Sequence, residues 1–73
     1  MAIKLEKINL NKVENCNHPE INTRCSYLAR INGGWYAGKF SRQWYGLNFD
    51  NWGCSGIQLD SDRLQELYRI RGK

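Results

Sequence analysis

Between Trp35 and Trp52 the chain reads Trp-Tyr-Ala-Gly-Lys-Phe-Ser-Arg-Gln-Trp-Tyr-Gly-Leu-Asn-Phe-Asp-Asn-Trp. This stretch holds all three tryptophans, both phenylalanines and two of the four tyrosines. Aromatic side chains bring the largest buried area per residue, so a core, a binding surface or both must be built here. With 73 residues there is room for one domain. A chain of that length buries only about 60% of its unfolded surface, which leaves a thin stability margin and little space for an enclosed catalytic cavity.

Taken in order, residues 3–10 alternate: Ile3 and Leu5 against Lys4 and Glu6, with a slip of phase at Lys7 before Ile8 and Leu10. Period two indicates a strand, and the slip a bulge or two short pieces. Residues 14–23, Glu-Asn-Cys-Asn-His-Pro-Glu-Ile-Asn-Thr, form a long loop with three asparagines and the only proline. In residues 24–31, Cys25, Tyr27, Ala29 and Ile31 share one face, and Arg24, Ser26, Leu28 and Arg30 the other. Asn32-Gly33-Gly34 supplies the positive φ of a tight hairpin turn. The next strand runs from Trp35 to Phe40. Ser41-Arg42-Gln43 is read as a turn, and Trp44 to Phe49 as a third strand of the meander. A turn at Asp50-Asn51-Trp52-Gly53 leads through Ser55-Gly56 to a short strand, Ile57-Gln58-Leu59.

Asp60-Ser61-Asp62-Arg63-Leu64-Gln65-Glu66-Leu67 carries cap residues before a polar run, which suits either a helix start or a single 3₁₀ turn. The 3₁₀ turn is preferred, leading into a last strand, Leu67-Tyr68-Arg69-Ile70, that pairs the ends of the sheet. The expected fold class is all-β: one domain over residues 1–73, a small SH3-like barrel of about five short strands, closed to hide its edges.

These segments resemble a Tudor-type domain within the SH3-like class. The likeness rests on Ala29, Gly33-Gly34, Trp35-Tyr36-Ala37, Phe49-Asp50-Asn51-Trp52-Gly53 and Asp62-Arg63-Leu64-Gln65-Glu66-Leu67, and covers about residues 25–68. Tudor-type domains hold methylated Lys or Arg in an aromatic cage through cation–π attraction. The resemblance implies Tyr36, Phe49 and Trp52 as the cage positions. The chain departs from the pattern at Cys54, where the family usually has Asn, and near Ala29, where an aromatic is expected. Its end also looks similar to the small SH3-like subunits of photosynthetic electron-transfer complexes, which dock on large membrane assemblies and help acidic carriers bind.

The charge balance is 11 Lys+Arg against 7 Asp+Glu, formally +4, with Arg63, Arg69, Arg71 and Lys73 in the last eleven residues. A modest positive charge is compatible with nucleic acid, an acidic protein or a solvated surface. Arg30, Lys39 and Arg42 lie on or beside the aromatic hairpin. Rings interleaved with cations suit a protein interface, and equally a single-stranded nucleic acid whose bases stack while phosphates are neutralised.

Three cysteines, Cys16, Cys25 and Cys54, are an odd number for a disulfide framework. With His18 they make four nominal zinc ligands, but the spacing matches no paired knuckle, and no metal is expected. No third group orients a Cys–His pair, and Gly33-Gly34 is no phosphate loop, so no enzyme and no cofactor are expected. The charged, alternating start argues against a signal peptide, and no apolar run approaches the roughly 20 residues of a membrane span. The expected location is the cytoplasm.

The reading from sequence is therefore a non-enzymatic protein-binding module, or an accessory subunit of a larger complex. It uses Tyr36, Lys39, Arg42, Trp44, Phe49 and Trp52 on the central hairpin. Single-stranded nucleic acid, RNA in particular, on the same face is the alternative.

Overall fold

The structure is a computed structural model describing residues 3–51 and 56–72. Among these residues six strands form one antiparallel sheet in the order β1-β6-β2-β3-β4-β5. They are β1 (Ile3–Lys7), β2 (Ser26–Ile31), β3 (Gly34–Gln43), β4 (Gly46–Asp50), β5 (Ile57–Gln58) and β6 (Leu64–Gly72). The all-β expectation holds. The sheet is open, however, with β1 and β5 at its edges. Six strands stand against the expected five or so, and the N-terminal strand expected within residues 3–10 pairs with β6.

Strand β1 ends at Lys7, where the alternation slips. Ile8 keeps contact by donating its N–H to the Leu67 carbonyl at 2.9 Å and is buried. A 3₁₀ turn follows at Leu10–Lys12, capped by Asn9, whose side chain accepts from the Asn11 N–H at 3.0 Å. Strand β2 lies where alternation put it. Tyr27, Ala29 and Ile31 are buried, and Cys25 packs against their cluster. Asn32 and Gly33 both take positive φ, 51° and 84°, as the tight turn between β2 and β3 requires.

Two expectations are corrected. Ser41-Arg42-Gln43 is not a turn but the end of β3, a ten-residue strand. The chain reverses at Trp44-Tyr45, between the paired residues Gln43 and Gly46. Trp and Tyr favour strands, so their composition hid the turn; the signal was Gly46, which carries φ 131° just after it. The second correction concerns the final strand. It starts at Leu64 rather than Leu67; the segment before it makes two successive turns, Ser61 N–H to the Gln58 carbonyl and Leu64 N–H to the Ser61 carbonyl, each closed by the i→i+3 bond of a 3₁₀ turn. The extra length of β6 pairs with β2 as far as Ile31 and Leu64, with an irregularity between Arg30 and Ile31 absorbing the change of register.

One face of the sheet carries the core. Ile8, Tyr27, Ala29, Ile31, Phe40, Leu47, Phe49, Ile57, Leu59, Leu64 and Leu67 belong to one buried cluster together with the loop residues Cys16 and Ile21. Leu67 of β6 and Ile57 of β5 belong to that one cluster, so the core extends under the sheet from β6 to β5. Phe40 sits edge-on to Tyr27 at 5.2 Å and to Phe49 at 5.3 Å between ring centroids.

The long loop 14–23 packs on this core. The Leu47 N–H donates to the Cys16 carbonyl at 2.8 Å, and the Cys16 thiol donates back to the Leu47 carbonyl at 3.4 Å. His18 is buried and uses both ring nitrogens: Nδ1 accepts from the Glu20 N–H at 3.0 Å, which leaves Nε2 to donate to the Asn9 carbonyl at 2.9 Å. The clasp at Cys16 requires glycine at position 46, since a Cβ there would collide with the Cys16 carbonyl oxygen and with the Cys16 Cβ.

Gly46→Ala should therefore lower stability by about 3 kcal/mol, combining left-handed backbone strain with the collision. Gly33→Ala meets open space despite its φ of 84° and should cost only about 1 kcal/mol. Urea midpoints at unchanged m-value measure both. Equal losses would mean that the loop does not depend on its approach to Gly46.

Candidate interaction surface

Strand pairing carries the alternation of each strand into rows across the sheet. On the face away from the core, Trp35 of β3 lies beside Arg30 of β2, which lies beside Glu66 of β6. The next row is Ala37, Leu28, Tyr68 and, on β1, Lys7. The third is Lys39, Ser26, Ile70 and Leu5. Trp35 and Leu5 keep 48% and 51% of their surface exposed, Ala37 is exposed, and Leu28, Tyr68 and Ile70 are half-buried. The result is an apolar field of six side chains spread over four strands.

A polar cluster fixes one end of this field. The Arg30 guanidinium stands 5.7 Å from the centre of the Trp35 ring and pairs with Glu66 at 3.3 Å. The Tyr68 hydroxyl donates to the other Glu66 oxygen at 2.8 Å, and the Tyr68 ring leans on Trp35 with centroids 6.0 Å apart. The Tyr68 hydrogen bond holds the Glu66 carboxyl below the usual range, with help from Arg30 and Lys7 and against a smaller effect of burial. The same bond raises the Tyr68 hydroxyl, because ionisation would remove the donor that Glu66 uses. An open depression lined by Ala37, Gly38, Lys39, Asp50 and Asn51 continues the surface beside Lys39.

The residues selected from sequence do not form one face. Phe49 is a correction: it is fully buried between Phe40 and the rest of the core, so its ring is closed to any partner. Tyr36 lies on the core side and packs against the buried cluster. Trp44 is at the hairpin tip, 95% exposed, touching Tyr45 edge-on at 5.5 Å. Arg42 is exposed on the same hairpin, and Lys39 alone of the set lies on the outer apolar face. Trp52 falls outside the described residues, as does Cys54.

The outer face draws on β1, β2, β3 and β6, and its missed members are Leu5, Leu28, Arg30, Trp35, Ala37, Glu66, Tyr68 and Ile70. Its one legible sign was Leu28, an apolar residue in the otherwise polar row of Ser26 and Arg30.

Among the described residues no group of three or more His, Cys, Asp and Glu gathers as metal ligands would. Cys16 and His18 spend their polar atoms on backbone partners at Leu47, Asn9 and Glu20. No helix among the described residues is long and apolar enough to cross a membrane. Comparison with protein families, with curated proteins and with solved structures returns no match for this chain.

The depressed Glu66 carboxyl stabilises the fold above the pKa it has when unfolded, and that contribution is lost as pH falls through its folded value. Tyr68→Phe removes the main cause of the shift. In a carboxyl-carbon NMR titration Glu66 should then titrate at higher pH than in the unaltered protein. An unchanged titration would show that the Tyr68 hydroxyl does not hold this carboxylate.

Proposed function

We propose that this chain is a non-enzymatic protein-binding module, or an accessory subunit of a larger complex, that docks its partner on the outer face of the sheet. In this reading the sheet is a partly open SH3-like barrel of Tudor-type layout, with an N-terminal strand outside the Tudor-like stretch. The observation that carries the proposal is the apolar field of Leu5, Leu28, Trp35, Ala37, Tyr68 and Ile70. The core on the opposite face is already completed by the loop residues Cys16 and Ile21, so this second apolar surface is not needed to enclose it. Aromatic residues in a field of aliphatic ones, with charges at the margin, is the composition of protein interfaces. Free thiols at Cys16 and Cys25 suit a cytoplasmic setting.

Single-stranded RNA is the second reading, favoured by one observation: the Trp44 ring is almost wholly open, on a hairpin that also presents Arg42 and Lys39. Bases stack on such rings while cations follow phosphates. The two readings use different parts of the molecule. On the sheet face Arg30 already occupies Trp35, a carboxylate sits at the centre of the cluster, and the aliphatic side chains give bases nothing to stack on.

Affinity capture from native extract separates them. Trp35→Ala should weaken retention of a protein partner by about tenfold or more, as expected for a central aromatic anchor, and Trp44→Ala should leave it unchanged. Retention should also survive raised salt. If no protein is retained and labelled single-stranded RNA instead binds with steep salt dependence, shifting the amides of Lys39, Arg42 and Trp44, the RNA reading replaces this one.

A further inference from the structure

We infer that the outer face is shaped for an amphipathic helix of a partner protein, one with acidic residues flanking its apolar stripe. This rests on the protein-binding reading above and adds the conformation and charge of the occupant.

Conformation follows from where a segment can lie. The apolar rows run across β3, β2, β6 and β1, a width of about 14 Å at about 4.8 Å per strand. A segment laid across a sheet face meets side chains and finds no backbone partner in the sheet, because the strands are already hydrogen-bonded to one another. Its own N–H and C=O groups must be satisfied internally, which a helix does and an extended segment does not. About nine or ten helical residues span the width at 1.5 Å per residue. Strand addition at the edges is the other way to bind a peptide. The β1 edge presents Lys4, Glu6 and Lys7, charges of the kind that guard edges, and β5 is only two residues long.

Charge follows from which groups are already engaged. Glu66 is held by Arg30 and Tyr68. Asp50 accepts from the Ser41 hydroxyl at 2.8 Å, from the Asn48 amide at 3.1 Å and from the Gly56 N–H at 3.4 Å. Lys39 and Lys7 lie at the two sides of the apolar field, Lys39 with Asp50 of β4 across from it and Lys7 on the edge strand β1, and neither joins an ion pair among the described residues. The face thus offers two ammonium groups outside any ion pair at opposite margins, Lys7 adding to the field around Glu66 and Lys39 standing across from Asp50, while both carboxylates already accept hydrogen bonds. A second copy brings only the same cations to meet them, on a chain that already carries a formal charge of +4. Acidic residues toward both ends of an apolar stripe complement this pattern.

The test titrates the full chain, by backbone amide NMR, with three synthetic peptides of about 16 residues sharing a Leu stripe at helical spacing. One carries Glu at its flanks, one carries Lys, and one carries Glu with a central Pro that breaks the helix. The Glu peptide should shift the amides of Leu5, Leu28, Trp35, Tyr68 and Ile70 and bind about tenfold more tightly than either of the others. The double variant Lys7→Glu, Lys39→Glu should reverse the preference toward the Lys peptide, whereas Arg42→Glu, off this face, should not.

Equal binding of the Glu and Lys peptides, or full binding of the Pro peptide, overturns the acidic-helix inference and leaves protein binding at this face standing. Shifts of the same amides with protein concentration alone overturn it in favour of a second copy. If no peptide shifts the face and single-stranded RNA shifts the hairpin tip, the inference and the protein-binding reading fail together.

Discussion

Strand β6 is hydrogen-bonded along both of its sides, to β1 on one and to β2 on the other. It sends Leu67 into the core and Glu66, Tyr68 and Ile70 to the outer face. Without it β1 has no partner, Arg30 loses Glu66, and the Trp35 ring loses the Tyr68 ring beside it. The contacts it makes are far apart in sequence, Arg30 with Glu66 and Lys7 with Tyr68, so the entropy of closing long loops is overcome only when most of the sheet forms together. The fold and the surface are in that sense one cooperative object.

The opposite face shows how a small chain completes a core it has too few strands to enclose. The loop 14–23 contributes Cys16 and Ile21 as apolar cover, and buries His18 with both ring nitrogens satisfied. Two reciprocal bonds between Cys16 and Leu47 join the loop to β4, beside a glycine whose missing side chain lets the backbones approach. Arg69 adds a further tie, donating to the Glu20 carbonyl while pairing with Glu6 at 3.4 Å. A loop so fully committed to structure has little left for chemistry, which explains why Cys16 and His18, suggestive in the sequence, serve as backbone partners.

Much of the architecture was legible in the residues, and the parts that were not share a cause. Alternation located β2 and the core side of Tyr27, Ala29 and Ile31, and Asn32-Gly33 announced its turn, because both signals are local. The Trp44-Tyr45 reversal escaped, since the local preference of those residues is for strands and the deciding conformation belongs to Gly46. The start of β6 escaped because Leu64 to Glu66 look polar and turn-like until β2 is placed beside them. The outer face escaped for the same reason on a larger scale. Leu5, Leu28, Trp35 and Ile70 are isolated apolar residues in four different segments, and only non-local pairing makes them neighbours. Selecting by aromatic density instead favoured Phe49, whose ring the core consumes.

Exposure by itself is a poor guide to which ring binds. Trp44 shows 95% of its surface yet stands at a turn with Tyr45 as its one ring neighbour among the described residues, so a partner that captured it would have to order the hairpin tip around it. Trp35 shows about half as much, 48%, but Arg30 and Tyr68 hold it, and Glu66 holds both of them. Ordering a mobile side chain on binding costs about 0.5–1.5 kcal/mol, and a ring already held avoids part of that cost. The ion pair and the tyrosine hydrogen bond are only part-buried and add little to folding stability. Their larger effect is to keep an apolar anchor in one orientation on a sheet that is rigid because it is paired on both sides. That places the weight of the proposed interaction surface on β2, β3 and β6 rather than on the aromatic hairpin tip.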